Sequence, residues 1–128
     1  MSYKIFRFKK ITNSNGSLVP INLKQFTKFK IKRFFILRGN KNDIRGNHAH
    51  KKCSQIFIPI NGRTELEIFK KTKKKIVLSW KKKQGIYIKP FNWCKITFLD
   101  NNSSIIVLCN YKFLESEYIR KFKDFLSY

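Results

Sequence analysis

Gln55-Ile-Phe-Ile-Pro-Ile-Asn-Gly-Arg-Thr-Glu-Leu-Glu-Ile-Phe69 sets the fold class of this 128-residue chain. Two β-rich runs, 55–60 and 63–69, flank Asn61-Gly62. Both turn residues tolerate positive φ, so the pair predicts a tight hairpin. In the second run Glu65 and Glu67 fall on one side, Leu66 and Ile68 on the other. That is the two-residue period of a half-buried strand.

The same pattern repeats on either side of the hairpin. Further β-rich runs occur at 31–37, 75–80, 85–89, 95–99 and 105–110. Turn signals separate them: Arg38-Gly-Asn-Lys-Asn42, Arg45-Gly-Asn47, Gln84-Gly85 and Asp100-Asn-Asn-Ser-Ser104, with Asn13-Ser-Asn-Gly16 further upstream. Short strands at this spacing predict an all-β sandwich or barrel. Ile105-Ile-Val-Leu-Cys109 is apolar throughout, as expected of a strand covered on both faces. Composition agrees, with 13 Phe and a single alanine, Ala49. Aromatic and β-branched side chains suit a pleated surface, whereas alanine is the best helix former. The tail differs. Tyr118, Ile119, Phe122 and Phe125 recur at helical spacing, with acidic residues before Arg120 and Lys121. A short amphipathic C-terminal helix packed on the sheet is therefore expected over 115–125. The length suits one domain, 1–128.

The net charge is +22, from 29 Lys and Arg against 7 Asp and Glu. Such a balance ordinarily suggests an anionic partner. Here Lys, Asn, Ile and Phe are enriched together, the composition of an A- and T-rich coding sequence whatever the function. Lys70–Lys75 and Lys81–Lys83 flank a strand and read as a solvated hairpin tip and edge protection. No nucleic-acid-binding motif is present, so no nucleic-acid partner is expected. No apolar run approaches the ~20 residues of a membrane span, and the N-terminus lacks a signal-peptide core. Cys53, Cys94 and Cys109 show neither C-x-x-C spacing nor an even count. A reduced, cytoplasmic protein without membrane association is expected.

The two histidines of the chain lie in Arg45-Gly-Asn-His-Ala-His-Lys51. On a strand, His48 and His50 project from one face and Ala49 from the other. Two imidazoles in one space suit metal ligation, proton transfer or plain structure. Gln55 follows His50 by five positions and Gly62 follows Gln55 by seven. This resembles the first cupin motif, H-x-H-x(3–4)-E-x(6)-G, with Gln55 at the acidic position. Gly85-Ile-Tyr-Ile-Lys-Pro90-Phe-Asn-Trp-Cys94 is similar to the second, with Cys94 at the histidine position. The resemblance implies a small jelly-roll barrel, in agreement with the strand pattern. It also weakens the metal reading, because two of four ligand positions carry Gln55 and Cys94. A thiolate still suits zinc, but proton transfer by imidazoles near pKa 6.5 is favoured. No metal or cofactor is expected.

A narrower resemblance covers residues 3–125. Arg45-Gly-Asn-His-Ala-His-Lys-Lys52 with Gln55 is similar to the signature of the nucleotide-sugar 3,4-ketoisomerases, cupin enzymes acting on dTDP-4-keto-6-deoxyglucose. Other blocks follow in order: Asn13-Ser-Asn-Gly-Ser-Leu18, Ile31-Lys-Arg-Phe-Phe-Ile36, Gly85-Ile-Tyr-Ile-Lys-Pro90 with Trp93, and Glu117-Tyr-Ile-Arg120 with Phe125. The resemblance implies movement of the sugar keto group from C4 to C3 through an enediol. By position, His50 is expected to serve carbon and His48 oxygen. Arg45 is expected at the enediolate or a phosphate, Arg33 and Lys51 at the diphosphate. Gln55, Tyr87, Trp93 and Cys94 are expected to line the cavity. Asn13, Asn15, Phe34, Phe35, Cys94 and Asn110 depart from the family pattern. Alternatives left open are another cupin nucleotide-sugar isomerase or epimerase, and a non-catalytic sugar-nucleotide-binding cupin. A homodimer is expected by family analogy and because sheet edges need cover.

Overall fold

A computed structural model of the chain describes residues 2–26 and 28–128. Twelve strands run as β1 (Tyr3–Arg7), β2 (Ile11–Asn13), β3 (Gly16–Leu18), β4 (Arg33–Gly39), β5 (Ile44–His50), β6 (Gln55–Asn61), β7 (Arg63–Phe69), β8 (Lys73–Ser79), β9 (Gln84–Ile88), β10 (Trp93–Phe98), β11 (Ser103–Cys109) and β12 (Tyr118–Ile119). One helical turn, α1 (Phe122–Phe125), follows β12.

Two five-stranded antiparallel sheets form, ordered β1-β9-β6-β11-β4 and β12-β5-β10-β7-β8, with β2 and β3 as a separate hairpin. This is the jelly-roll arrangement expected of a cupin. Between the sheets lies a core that includes Phe57, Leu66, Ile68, Leu78, Ile86, Ile96, Phe98, Ile105 and Val107. Each such side chain contributes roughly 1.5–3 kcal/mol by leaving water. In β7 the side chains of Leu66 and Ile68 are buried while those of Glu65 and Glu67 are half-exposed, as the alternation requires. In β11 one face joins the central core. The other, Ile106 and Leu108, packs against a second cluster built on Phe6, Phe8, Ile56 and Ile58. That explains its unbroken apolar run.

Two local readings change. The expected helix over 115–125 is broken into a 3-10 turn, Glu115–Glu117, and α1, because Tyr118 and Ile119 extend and pair with His50 and Ala49 on β5. An available sheet edge outweighs helical spacing in so short a segment. Arg45-Gly-Asn47 is not a turn but a bulge within β5. The register with β10 runs Thr97↔Ile44, Ile96↔Arg45, Lys95↔Gly46 and then Cys94↔His48. Gly46 (φ 81°) and Asn47 (φ 57°) are left-handed, and Asn47 is the unpaired extra residue.

Candidate active site

The bulge decides which side chains meet. Directly opposed residues on paired strands face the same way. Cys94 and Ile96 point into the core, so their partners His48 and Arg45 do too. An unbulged strand would send odd-numbered Arg45 to the face opposite His48 and His50. The extra residue brings all three to one side. On the following strand Tyr118 lies opposite His50, and Ile119 opposite Ala49. Tyr118 therefore joins the histidines, while Ile119, Ala49 and Phe125 form a small outer cluster.

A cavity of about 240 Å³ opens at this end of the barrel. Its walls include His48, Gln55, Tyr118 and three arginines, Arg33, Arg45 and Arg120, over a floor of Phe35, Phe57 and Val107. His48 lies in the wall and His50 one ring behind it, with centroids 5.0 Å apart. The Tyr118 ring packs against both, at 5.1 and 4.4 Å.

Hydrogen bonds define the proton on each imidazole. His48 Nδ1 lies 3.1 Å from the Gly46 carbonyl oxygen, which only accepts, so Nδ1 carries the proton and Nε2 the lone pair. His50 Nδ1 lies 2.5 Å from Glu117 Oε1. Glu117 Oε2 also accepts from the backbone N–H groups of Lys51, Lys52 and Cys53, at 3.1, 3.2 and 3.3 Å. Burial works to protonate this carboxyl, but those donors prevail and hold its pKa below the usual range. The ionised carboxylate fixes the His50 proton on Nδ1, and His50 Nε2 is left buried with no partner among the described residues. Burial lowers the pKa of both histidines. For His48 the fall is to about 4, with His50 and Arg120 adding to it. For His50 burial outweighs the support of Glu117. Two neutral imidazoles thus stand side by side, each with a bare Nε2.

The other expected residues divide. Arg33, Arg45 and Gln55 line the cavity. Arg33 donates to the Tyr118 hydroxyl at 2.8 Å, and its guanidinium stacks over Phe35 and Phe113. Gln55 commits its amide nitrogen to Cys109 Sγ at 3.4 Å. Four expected residues are not brought to the cavity. Tyr87 alternates to the outer face of β9, where it stacks on Phe26 at 5.0 Å. Trp93 alternates to the outer face of β10, against Phe122 and Phe125. Lys51 extends its ammonium over Tyr128. Cys94 is inside the core opposite His48, and burial pushes its thiol up to about 12.

The four cupin ligand positions do not fit a metal. Cys94 lies within the apolar core, and Gln55 is a neutral amide whose nitrogen already donates a hydrogen bond to Cys109 Sγ. His50, Cys53 and Glu117 also bring potential ligand atoms within 4.8 Å of one another. There the carboxylate is taken up by four N–H donors.

Glu117, Tyr118 and Arg120 were absent from the expected site. Their place in the matching block Glu117-Tyr-Ile-Arg120 was the available signal. The helical reading obscured it by sending successive residues around a cylinder rather than to alternate faces of a strand.

Fold and site together define a cupin-like barrel protein with two imidazoles beside an arginine-lined cavity. The family described as WxcM-like, C-terminal, matches residues 1–128, and the chain belongs to it. A TDP-4-oxo-6-deoxy-alpha-D-glucose-3,4-oxoisomerase of Aneurinibacillus thermoaerophilus is 30% identical, over 100% of this chain and 93% of its own. Among solved structures, a 3,4-ketoisomerase from Helicobacter canadensis superposes with TM-score 0.89 at 32% identity, covering 99% of this chain and 96% of its own. A sugar 3,4-ketoisomerase from Thermoanaerobacterium thermosaccharolyticum in complex with TDP gives TM-score 0.88 at 29% identity, covering 98% and 93%.

Proposed function

We propose that this protein is a nucleotide-sugar 3,4-ketoisomerase converting dTDP-4-keto-6-deoxyglucose to a dTDP-3-keto-6-deoxyhexose. The carrying observation is the pair of neutral imidazoles on one sheet face, each with its Nε2 free. The reaction asks for that pair. The C4 carbonyl acidifies the proton on C3. A base takes it, the electron pair forms the C3–C4 double bond, and negative charge gathers on the C4 oxygen. Return of the proton to C4, with transfer of the C3 hydroxyl proton to the C4 oxygen, leaves a ketone at C3 and a hydroxyl at C4.

The position of His48 in the cavity wall supports giving it the carbon, with Nε2 as base and then acid. This reverses the division expected from the sequence, because His50 stands one ring further back. His50, with Glu117 behind it, is assigned to the oxygens. Arg45, exposed at the rim, suits a diphosphate through charge-assisted hydrogen bonds. No cofactor enters this chemistry. We place the enzyme in the cytoplasm as a single domain spanning 1–128 that assembles as a homodimer, within deoxyaminosugar biosynthesis. The test is to supply dTDP-4-keto-6-deoxyglucose and trap the product with a 3-aminotransferase. Amination at C3 supports the reading, and an unchanged 4-keto sugar defeats it.

A further inference from the structure

The isomerisation passes through a species with negative charge on the C4 oxygen, so the cavity needs a donor aimed at that atom. Among the residues lining it, one carries a hydroxyl, Tyr118. Phe35, Leu37, Phe57 and Val107 contribute none.

Three observations single out that hydroxyl. Its oxygen accepts a hydrogen bond from Arg33 Nη2 at 2.8 Å, and among the described residues it donates to no one. The phenol proton is therefore available to a ligand. The ring is locked on three sides: His50 at 4.4 Å, His48 at 5.1 Å, and the Arg120 guanidinium 4.2 Å above its face. Arg120 is itself fixed by a two-pronged bond to Glu115, 2.8 Å on each arm. Two guanidinium groups thus flank a phenol that stands beside the proposed carbon base. Such a donor needs no reorganisation as charge develops.

We propose that Tyr118 is a catalytic residue of the isomerisation, donating its hydroxyl proton in a hydrogen bond to the C4 oxygen and holding the enediolate, with Arg33 as its positioning residue. This rests on the ketoisomerase reading. The step balances. His48 Nε2 takes the C3 proton, and the C–H pair becomes the C3–C4 π bond. The carbonyl π pair moves to the C4 oxygen, which Tyr118 bonds without surrendering its proton. Collapse returns the His48 proton to C4 while the C3 hydroxyl gives its proton to His50 Nε2 and becomes the carbonyl, and His50 passes that proton to the C4 oxygen, leaving a hydroxyl there.

The experiment compares wild type with Tyr118→Phe, which removes the oxygen and keeps the stacked ring. With dTDP-4-keto-6-deoxyglucose in deuterated water, kcat and the rate of deuterium entry should fall together by about 10²–10³-fold. KM should stay within a few-fold. A variant within about threefold of wild type in kcat overturns the assignment. So does a loss confined to KM, which would mark a binding role. Should Tyr118→Phe fail to fold, 3-fluorotyrosine at position 118 keeps the shape and acidifies the phenol. A changed kcat with unchanged KM supports the proposal, and an unchanged kcat overturns it. A wild-type enzyme that leaves the sugar untouched sinks the ketoisomerase reading itself, whereas an active wild type with an equally active variant sinks only the role of Tyr118.

Discussion

At the scale of single residues, the site is organised around Glu117. It is almost wholly buried, yet it stays ionised because four N–H groups converge on its two oxygens. Breaking such an arrangement is costly, since a buried donor left unpaired loses its solvation without compensation. Glu117→Gln keeps an acceptor for the backbone N–H groups but removes the charge facing His50. We expect stability to fall by about 1.5–3 kcal/mol, the worth of a hydrogen bond to a charged group. We also expect the His50 pKa to fall further, because the carboxylate supports the protonated imidazole. The acid limb of the activity profile should accordingly move to lower pH. Chemical denaturation and an NMR titration of His50 measure both effects. A His50 pKa that rises or stands still contradicts the arrangement.

At the scale of elements, the central strands were legible because their alternation is strict. Glu65, Leu66, Glu67 and Ile68 leave one choice of face, and Asn61-Gly62 leaves one choice of turn. The β5 bulge was not legible. Arg45-Gly-Asn47 is as good a turn as it is a bulge, and only pairing with β10 distinguishes them. β12 was hidden for a similar reason. Positions 118, 119, 122 and 125 satisfy a helical period, while the backbone of β5 offers a partner that no local pattern reveals. The histidine pair was plain in the sequence, but its partners Glu117 and Tyr118 arrive through that hidden strand. The bulge makes its own prediction. A Cβ on Gly46 would lie 2.8 Å from the Cys94 carbonyl oxygen, at a φ of 81° that side chains rarely adopt. The clash is with backbone and has no flexible end to yield. Gly46→Ala should therefore cost roughly 1–3 kcal/mol and displace the carbonyl that orients His48, lowering the melting temperature and kcat together. A melting temperature equal to wild type contradicts the bulge geometry.

At the scale of the whole molecule, one outer face lacks cover. β4 is an edge strand, and its outward side chains Phe34 and Ile36 are 63% and 55% exposed. Ile31, two residues before β4, adds to the exposed apolar surface. A large exposed apolar patch beside an open strand edge ordinarily marks an interface. A second copy of the chain is the occupant we propose. Sedimentation equilibrium at micromolar concentration should give the mass of a dimer, and Phe34→Glu with Ile36→Lys should give a monomer. A wild-type monomer contradicts the proposal. The net charge of +22 assigns no site by itself. Of the many cations, three arginines line the cavity, placed there by a bulge, an edge strand and a short terminal strand.

The proposed function stands or falls on His48 moving a proton from C3 to C4 while His50 serves the sugar oxygens. Its most direct test is the NMR spectrum of dTDP-4-keto-6-deoxyglucose incubated with the enzyme in deuterated water. Wild-type enzyme should give a 3-keto sugar with solvent deuterium at C4, because the proton taken onto His48 Nε2 at the cavity wall exchanges with water before it is delivered, and His48→Asn should give neither product nor exchange. A substrate spectrum unchanged in the presence of wild-type enzyme, or an undiminished reaction with His48→Asn, would contradict it.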